Sequence, residues 1–112
     1  MKLDRNIPGN EGRGKYALIL LRKLAAYEPE GAFAASPVMD AIALLDREGL
    51  IDWGLQGSDS EFFVMRLKDR SARPALLAYA ADARSYDSEW AAEVRELAAH
   101  SGPSHPGCKT PD

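Results

Sequence analysis

Ser36–Lys68, SPVMDAIALLDREGLIDWGLQGSDSEFFVMRLK, decides how this 112-residue chain is read. Ser36 is a good helix N-cap, because its hydroxyl can accept from a first-turn amide, and Pro37 suits the first helical position, where no N–H is needed. Val38, Ala41, Ile42 and Leu45 then recur at helical spacing and form one apolar stripe. Gly49 can take the left-handed conformation that ends such a helix. Beyond it, Leu50–Trp53 and Phe62–Leu67 are rich in residues that favour strands, and Gly54–Ser60 supplies turn residues. The stretch predicts a helix followed by a β-hairpin. Phe63, Met65 and Leu67 would face the core, and Phe62, Val64, Arg66 and Lys68 the other side.

Working outward, Lys15–Tyr27 predicts a central helix, with Ala17, Leu20, Leu21 and Leu24 as its core stripe and Leu18 and Ile19 widening it. Residues 1–14 have loop composition, with Lys2–Ile7 as a candidate edge strand. On the other side, Ser71 is a candidate cap for a third helix, with Pro74 in its first turn and Leu76, Tyr79, Ala80 and Ala83 along its stripe. Asp87 caps a fourth helix that carries Trp90, Val94 and Leu97 on one face and Glu89 near its positive end. The expected fold class is therefore α+β. It has about four helices and a two- or three-stranded antiparallel sheet in a single domain over residues 1–103, followed by a flexible tail over 104–112.

Composition bounds the function. Apolar residues make up 46% of the chain and charged residues 28%, ordinary values for a globular fold. No apolar run approaches the roughly 20 residues of a membrane span. MKLDRNIPGNEGRGK lacks the apolar core of a secretory leader, and Cys108 is the one cysteine, so a reducing cytoplasm is the expected compartment. The net charge of −3 is unevenly spread. Residues 1–27 and 65–74 are basic, whereas residues 28–64 hold eight acids against Arg47 alone. The basic zones serve as solvated faces or, where they meet in space, as an anion-facing patch.

Several motifs suggest chemistry. Gly9–Lys15, GNEGRGK, has the spacing of a phosphate-binding loop, but Tyr16 stands where such a loop needs Ser or Thr for magnesium. A weaker version leaves Arg13 and Lys15 at a helix N-terminus as anion contacts. His100, His105 and Cys108 offer three zinc ligands without the fourth that a structural site requires. Asp40, Asp46 and Glu48 form an acidic helix face without the spacing of a calcium loop. No nucleophile–base pair stands out, so the chain is expected to be no enzyme and to need no cofactor or metal. The ALLDREGLIDWG step invites a winged-helix reading, yet a recognition helix should offer Lys or Arg to nucleic acid, and this one is acidic.

KLDRN and GRGKYALI near the start, LIDWG and SEFFVMRLKDR in the middle, and HPGCKTPD at the end resemble small accessory proteins of tailed phages and prophages of Gram-negative bacteria. The resemblance implies expression in the cytoplasm of an infected or lysogenic host. It brings no activity and no site residue with it. The function expected is binding of a host or phage protein, as an anti-defence inhibitor or adaptor, by a monomer or a homodimer. The candidate contact residues are Trp53, Phe62, Arg66 and Lys68, of which Trp53 and Phe62 read first as core side chains. The alternative is a nucleic-acid or nucleotide binder that uses Arg5, Arg13, Lys15, Arg22 and Lys23.

Overall fold

Ser36 opens α2 (Pro37–Arg47), its hydroxyl accepting from the Met39 amide at 3.3 Å and donating to the Tyr27 carbonyl. The helix ends at Gly49, whose φ is +72°. Leu50 N–H there returns to the Leu45 carbonyl at 2.9 Å and Gly49 N–H to the Asp46 carbonyl at 3.0 Å. That pair of bonds is the Schellman closure, which satisfies carbonyls the last turn would otherwise leave open. The computed structural model describes residues 14–28 and 36–110, so the candidate edge strand Lys2–Ile7 lies outside the described residues. Ala17–Phe63 form one unit, and the chain from Val64 onward belongs to another.

The expected α+β class is overturned: the described part is helical and holds no β-strand. Its one ladder feature is an isolated parallel bridge between Asp69 and Lys109. Leu50–Trp53 and Phe62–Leu67 do not pair as a hairpin, and with the hairpin goes the winged-helix reading. Local polar bonds shape the connection instead. Asp52 Oδ1 accepts from the Gly54 amide at 2.9 Å and the Ser60 hydroxyl at 3.1 Å, and Glu61 Oε1 accepts from the Gly57 amide at 3.1 Å. Short-range carboxylate–backbone bonds compete directly with a ladder. Gly54 and Gly57 have φ of +56° and +82°, which curls the connection further.

The N-terminal helix is also shorter than its pattern. α1 spans Leu21–Leu24 and passes into a 3-10 turn over Ala25–Tyr27, with no buried residue in either. Lys15–Leu20 is not helical. Its apolar period is present, but no Ser, Thr, Asp or Asn lies there to cap a start, and Leu20 at the N-cap position makes no side-chain bond. The expectation of a central, well-covered helix therefore fails.

In the second unit, α3 (Ala72–Ala83) and α4 (Ser88–Ala99) form a helical hairpin. Asp87 caps α4 as expected, accepting from the Trp90 amide at 2.9 Å. Ser71 precedes α3 but makes no side-chain cap bond. The buried apolar positions are Ala72, Ala80 and Ala83 on α3 and Ala91, Val94 and Ala98 on α4. A seam built almost wholly of alanine allows the two backbones to approach closely. Beyond α4, Ser101 is fully buried, its hydroxyl donating to the Ala98 carbonyl at 2.7 Å. The Gly102 amide donates to the Leu67 carbonyl at 2.8 Å, opening a 3-10 turn over Gly102–Ser104. Lys109 then brackets the segment before α3, its amide donating to Lys68 and its carbonyl accepting from Arg70, both at 3.0 Å.

Candidate functional site

Leu50–Phe63 is built by the short carboxylate bonds described above. A further one ties it to α2: the Trp53 indole N–H donates to Asp46 Oδ1 at 2.7 Å. The Phe62 ring lies against Gly54, where a Cβ would overlap the ring carbons. Ser58 turns the chain, its amide and hydroxyl both bonding to the Leu55 carbonyl at 3.0 and 2.7 Å. These bonds hold a loop that turns apolar side chains outward. Leu50 is 72% exposed, Leu55 66% and Phe63 87%, and Phe62 is also more exposed than covered. Phe63, expected on the core face, is the most exposed large apolar residue of this set. Asp40, Asp46, Glu48, Asp52, Asp59 and Glu61 surround the loop in sequence, so its setting is acidic.

The residues singled out from sequence do not share one unit. Trp53 and Phe62 lie in Ala17–Phe63, and Arg66 and Lys68 lie beyond Val64. Trp53 anchors the loop through its N–H, and Phe62 covers Gly54. Arg66 is exposed and Lys68 half-buried. Arg66, Lys68, Arg70 and Arg73 border the bridge to Lys109, and Arg73 Nη1 donates to Ser104 Oγ at 3.1 Å. Arg5 and Arg13 lie outside the described residues. Lys15 is exposed, and since α1 begins only at Leu21, Lys15 does not stand at a helix N-terminus. Arg22 and Lys23 are exposed on α1.

His105 Nδ1 accepts from the Gly107 amide at 2.9 Å, His100 is the C-cap of α4, and the Cys108 thiol is free and half-buried. Among the described residues, no group of three or more His, Cys, Asp or Glu is placed to hold a metal ion. No helix among them is long and apolar enough to cross a membrane. A shallow hollow lined by Arg84, Ser88, Ala91, Ala92 and Arg95 holds about 90 Å³, well under the roughly 300 Å³ at which ligand pockets begin.

An aromatic cluster sits where α3 turns into α4. The rings of Tyr79 and Trp90 meet edge to face, with centroids 6.4 Å apart and planes at 83°. The Trp90 indole N–H donates to the Tyr79 hydroxyl at 3.2 Å. Interaction with the Tyr79 side chain, then desolvation and the negative charges of Asp82 and Asp87, push the Tyr86 phenol above its usual range.

Leu50, Leu55 and Phe63 escaped the sequence reading as contact residues. The Asp52-Trp53-Gly54 step, an Asx-turn signal, was the local cue that the segment bends rather than pairs. The Tyr79–Trp90 contact crosses a helical hairpin and has no local signal. No family model, curated protein or solved structure matches this chain.

Proposed function

We propose that the protein is a non-enzymatic binding module that docks on a host or phage protein through the Leu50–Phe63 loop. The observation that carries this reading is the outward presentation of Leu50, Leu55 and Phe63 on a loop held by its own carboxylate bonds. A loop whose backbone is already held in shape has less ordering to lose on docking, which favours an interface. Exposed apolar groups rimmed by polar residues mark such surfaces. The acidic setting asks for a partner face that is apolar at its centre and basic at its edge.

The resemblance to tailed-phage accessory proteins supplies the context, an inhibitor or adaptor acting in the cytoplasm of the host. The test is capture from host lysate by the unmodified chain and by the double variant Leu55→Ser with Phe63→Ser. A nuclease-resistant protein retained by the first and lost by the second is the expected result. Equal capture by both chains overturns the loop assignment. Capture that vanishes with nuclease, or that weakens steeply with salt, replaces the reading with the nucleic-acid alternative, which uses Lys15, Arg22 and Lys23 together with Arg5 and Arg13.

A further inference from the structure

After α4 the chain makes a small closed loop, Gly102–Lys109, whose two ends bond to adjacent carbonyls. Gly102 N–H donates to Leu67 at 2.8 Å and Lys109 N–H to Lys68 at 3.0 Å. The loop crosses the start of α3 at Gly102, where φ is +57° and a Cβ would come within 3.1 Å of Arg73 Cβ and 3.2 Å of the Arg70 carbonyl oxygen. That close crossing suits glycine and sets Ser104 beside Arg73, whose Nη1 donates to Ser104 Oγ at 3.1 Å. On the return, a Cβ on Gly107 would lie 3.8 Å from Lys68 Cδ and 3.5 Å from His105 Nδ1, so the lysine stem and the imidazole flank one point. The polar groups left open here are all donors. Ser104 Oγ already accepts from Arg73, which leaves its own O–H to give. His105 Nδ1 accepts from the Gly107 amide at 2.9 Å, so the neutral ring carries its proton on Nε2. Among the described residues, no carboxylate is paired or hydrogen-bonded with Lys68, Arg73, Ser104 or His105. Arg73 and Ser104 are exposed, and Lys68 and His105 half-buried.

We infer that the Gly102–Lys109 loop is an anion site for a phosphate monoester, held by Lys68, Arg73, Ser104 and His105. Two cations match a group that carries about −1.5 to −2 charges at neutral pH, and its three acceptor oxygens suit a set made of donors. A carboxylate brings one charge and two oxygens and is the poorer match. Arg73 supplies a planar fork that can hold two oxygens at once, whereas Lys68 acts as a point charge. A cationic ligand is repelled by both, and an apolar one would strip water from four polar groups without replacing it. The same chemistry serves a small phosphate-bearing molecule and a phosphorylated side chain.

The test titrates the unmodified chain with inorganic phosphate, with acetyl-Gly-phosphoserine-Gly amide and with acetate, each at fixed pH and ionic strength. The readout is the imidazole Cε1–H resonance of His105, identified by its absence in His105→Gln. A saturable shift with both phosphates and a clearly smaller one with acetate is expected, with an apparent Kd on the order of millimolar for so small a ligand. Tighter binding of the peptide than of inorganic phosphate assigns the site to a phosphorylated side chain, and equal or weaker binding assigns it to a small molecule. Lys68→Gln and Arg73→Gln should each weaken binding by roughly two- to fivefold, the contribution of one exposed charge pair. Arg84→Gln removes the same charge at the C-cap of α3 and should leave binding unchanged. The absence of a saturable shift, an equal shift with acetate, or equal weakening in all three variants would each overturn the assignment. If a variant does not fold, the comparison of phosphate with acetate on the intact chain still decides.

Discussion

Trp53 is fastened to Asp46 by a 2.7 Å bond from its indole N–H to the carboxylate, so the loop is tied to the last turn of the helix that precedes it. The two residues are seven apart in sequence, and the Gly49 turn is what brings the chain back within reach. Asp46→Ala should free the ring and cost about 1 kcal/mol, the typical net worth of one hydrogen bond. Asp46→Asn keeps an acceptor oxygen and should retain most of that. Fluorescence anisotropy of Trp53, read in a Trp90→Phe background, separates the two: a drop for Ala but not Asn is expected, and identical values in all three proteins would show that the bond does not restrain the loop.

Gly54 and Gly49 both carry positive φ, but their surroundings differ. At Gly49 a Cβ would meet nothing, whereas at Gly54 it would run into the Phe62 ring. Gly49→Ala should therefore cost only the conformational strain, about 1 kcal/mol, and Gly54→Ala that strain plus displacement of Phe62. Adding Phe62→Ala to Gly54→Ala should return the excess, since the two substitutions share one contact. Urea denaturation of the parent, Gly49→Ala, Gly54→Ala, Phe62→Ala and the double variant measures it; additive losses in the double variant would sink the proposed contact.

Asp87 and Ser71 both precede helices, and both read as caps. Only Asp87 makes the bond, at 2.9 Å to the Trp90 amide. Asp87→Ala should lower stability by about 1 kcal/mol, while Ser71→Ala should stay within about 0.5 kcal/mol of the parent. Thermal unfolding followed by far-ultraviolet circular dichroism distinguishes them, and equal losses would mean that Ser71 caps α3 in solution.

What was legible in the sequence was what is decided within one helical turn. Ser36 with Pro37, Gly49, and Asp87 with Glu89 act on backbone groups three or four residues away, so their identities suffice to place α2 and the start of α4. The hairpin was misread because strand propensity in Leu50–Trp53 and Phe62–Leu67 says nothing of whether the two segments pair. Asp52 and Glu61 bond to the Gly54 and Gly57 amides of the connection, and that curl is not encoded in strand propensity. α1 was overextended because apolar period marks a face, not a boundary, and no capping side chain opens it at Lys15. Trp53 and Phe62 were legible as candidates by type. That they anchor and shape the loop while Leu55 and Phe63 face outward depends on its turns, which only coordinates supply.

The Lys109 backbone joins residues far apart in sequence, giving its N–H to Lys68 and receiving that of Arg70, each at 3.0 Å. Neither bond depends on side-chain identity, so a substitution such as Lys109→Ala should leave both in place. Ending the chain after Ser104 removes them together. It also strips the amides and carbonyls of His105–Cys108 that lead back to this bridge, leaving Lys68 and Arg70 to water. Each lost bond is worth about 1 kcal/mol, so the truncated chain should be about 2 kcal/mol less stable. Hydrogen exchange at the Arg70 amide reports the bridge directly. Its Lys109 partner predicts slow exchange in the full chain and in Lys109→Ala, and fast exchange after truncation. An Arg70 amide that exchanges freely in all three proteins would show that this parallel contact is not formed in solution.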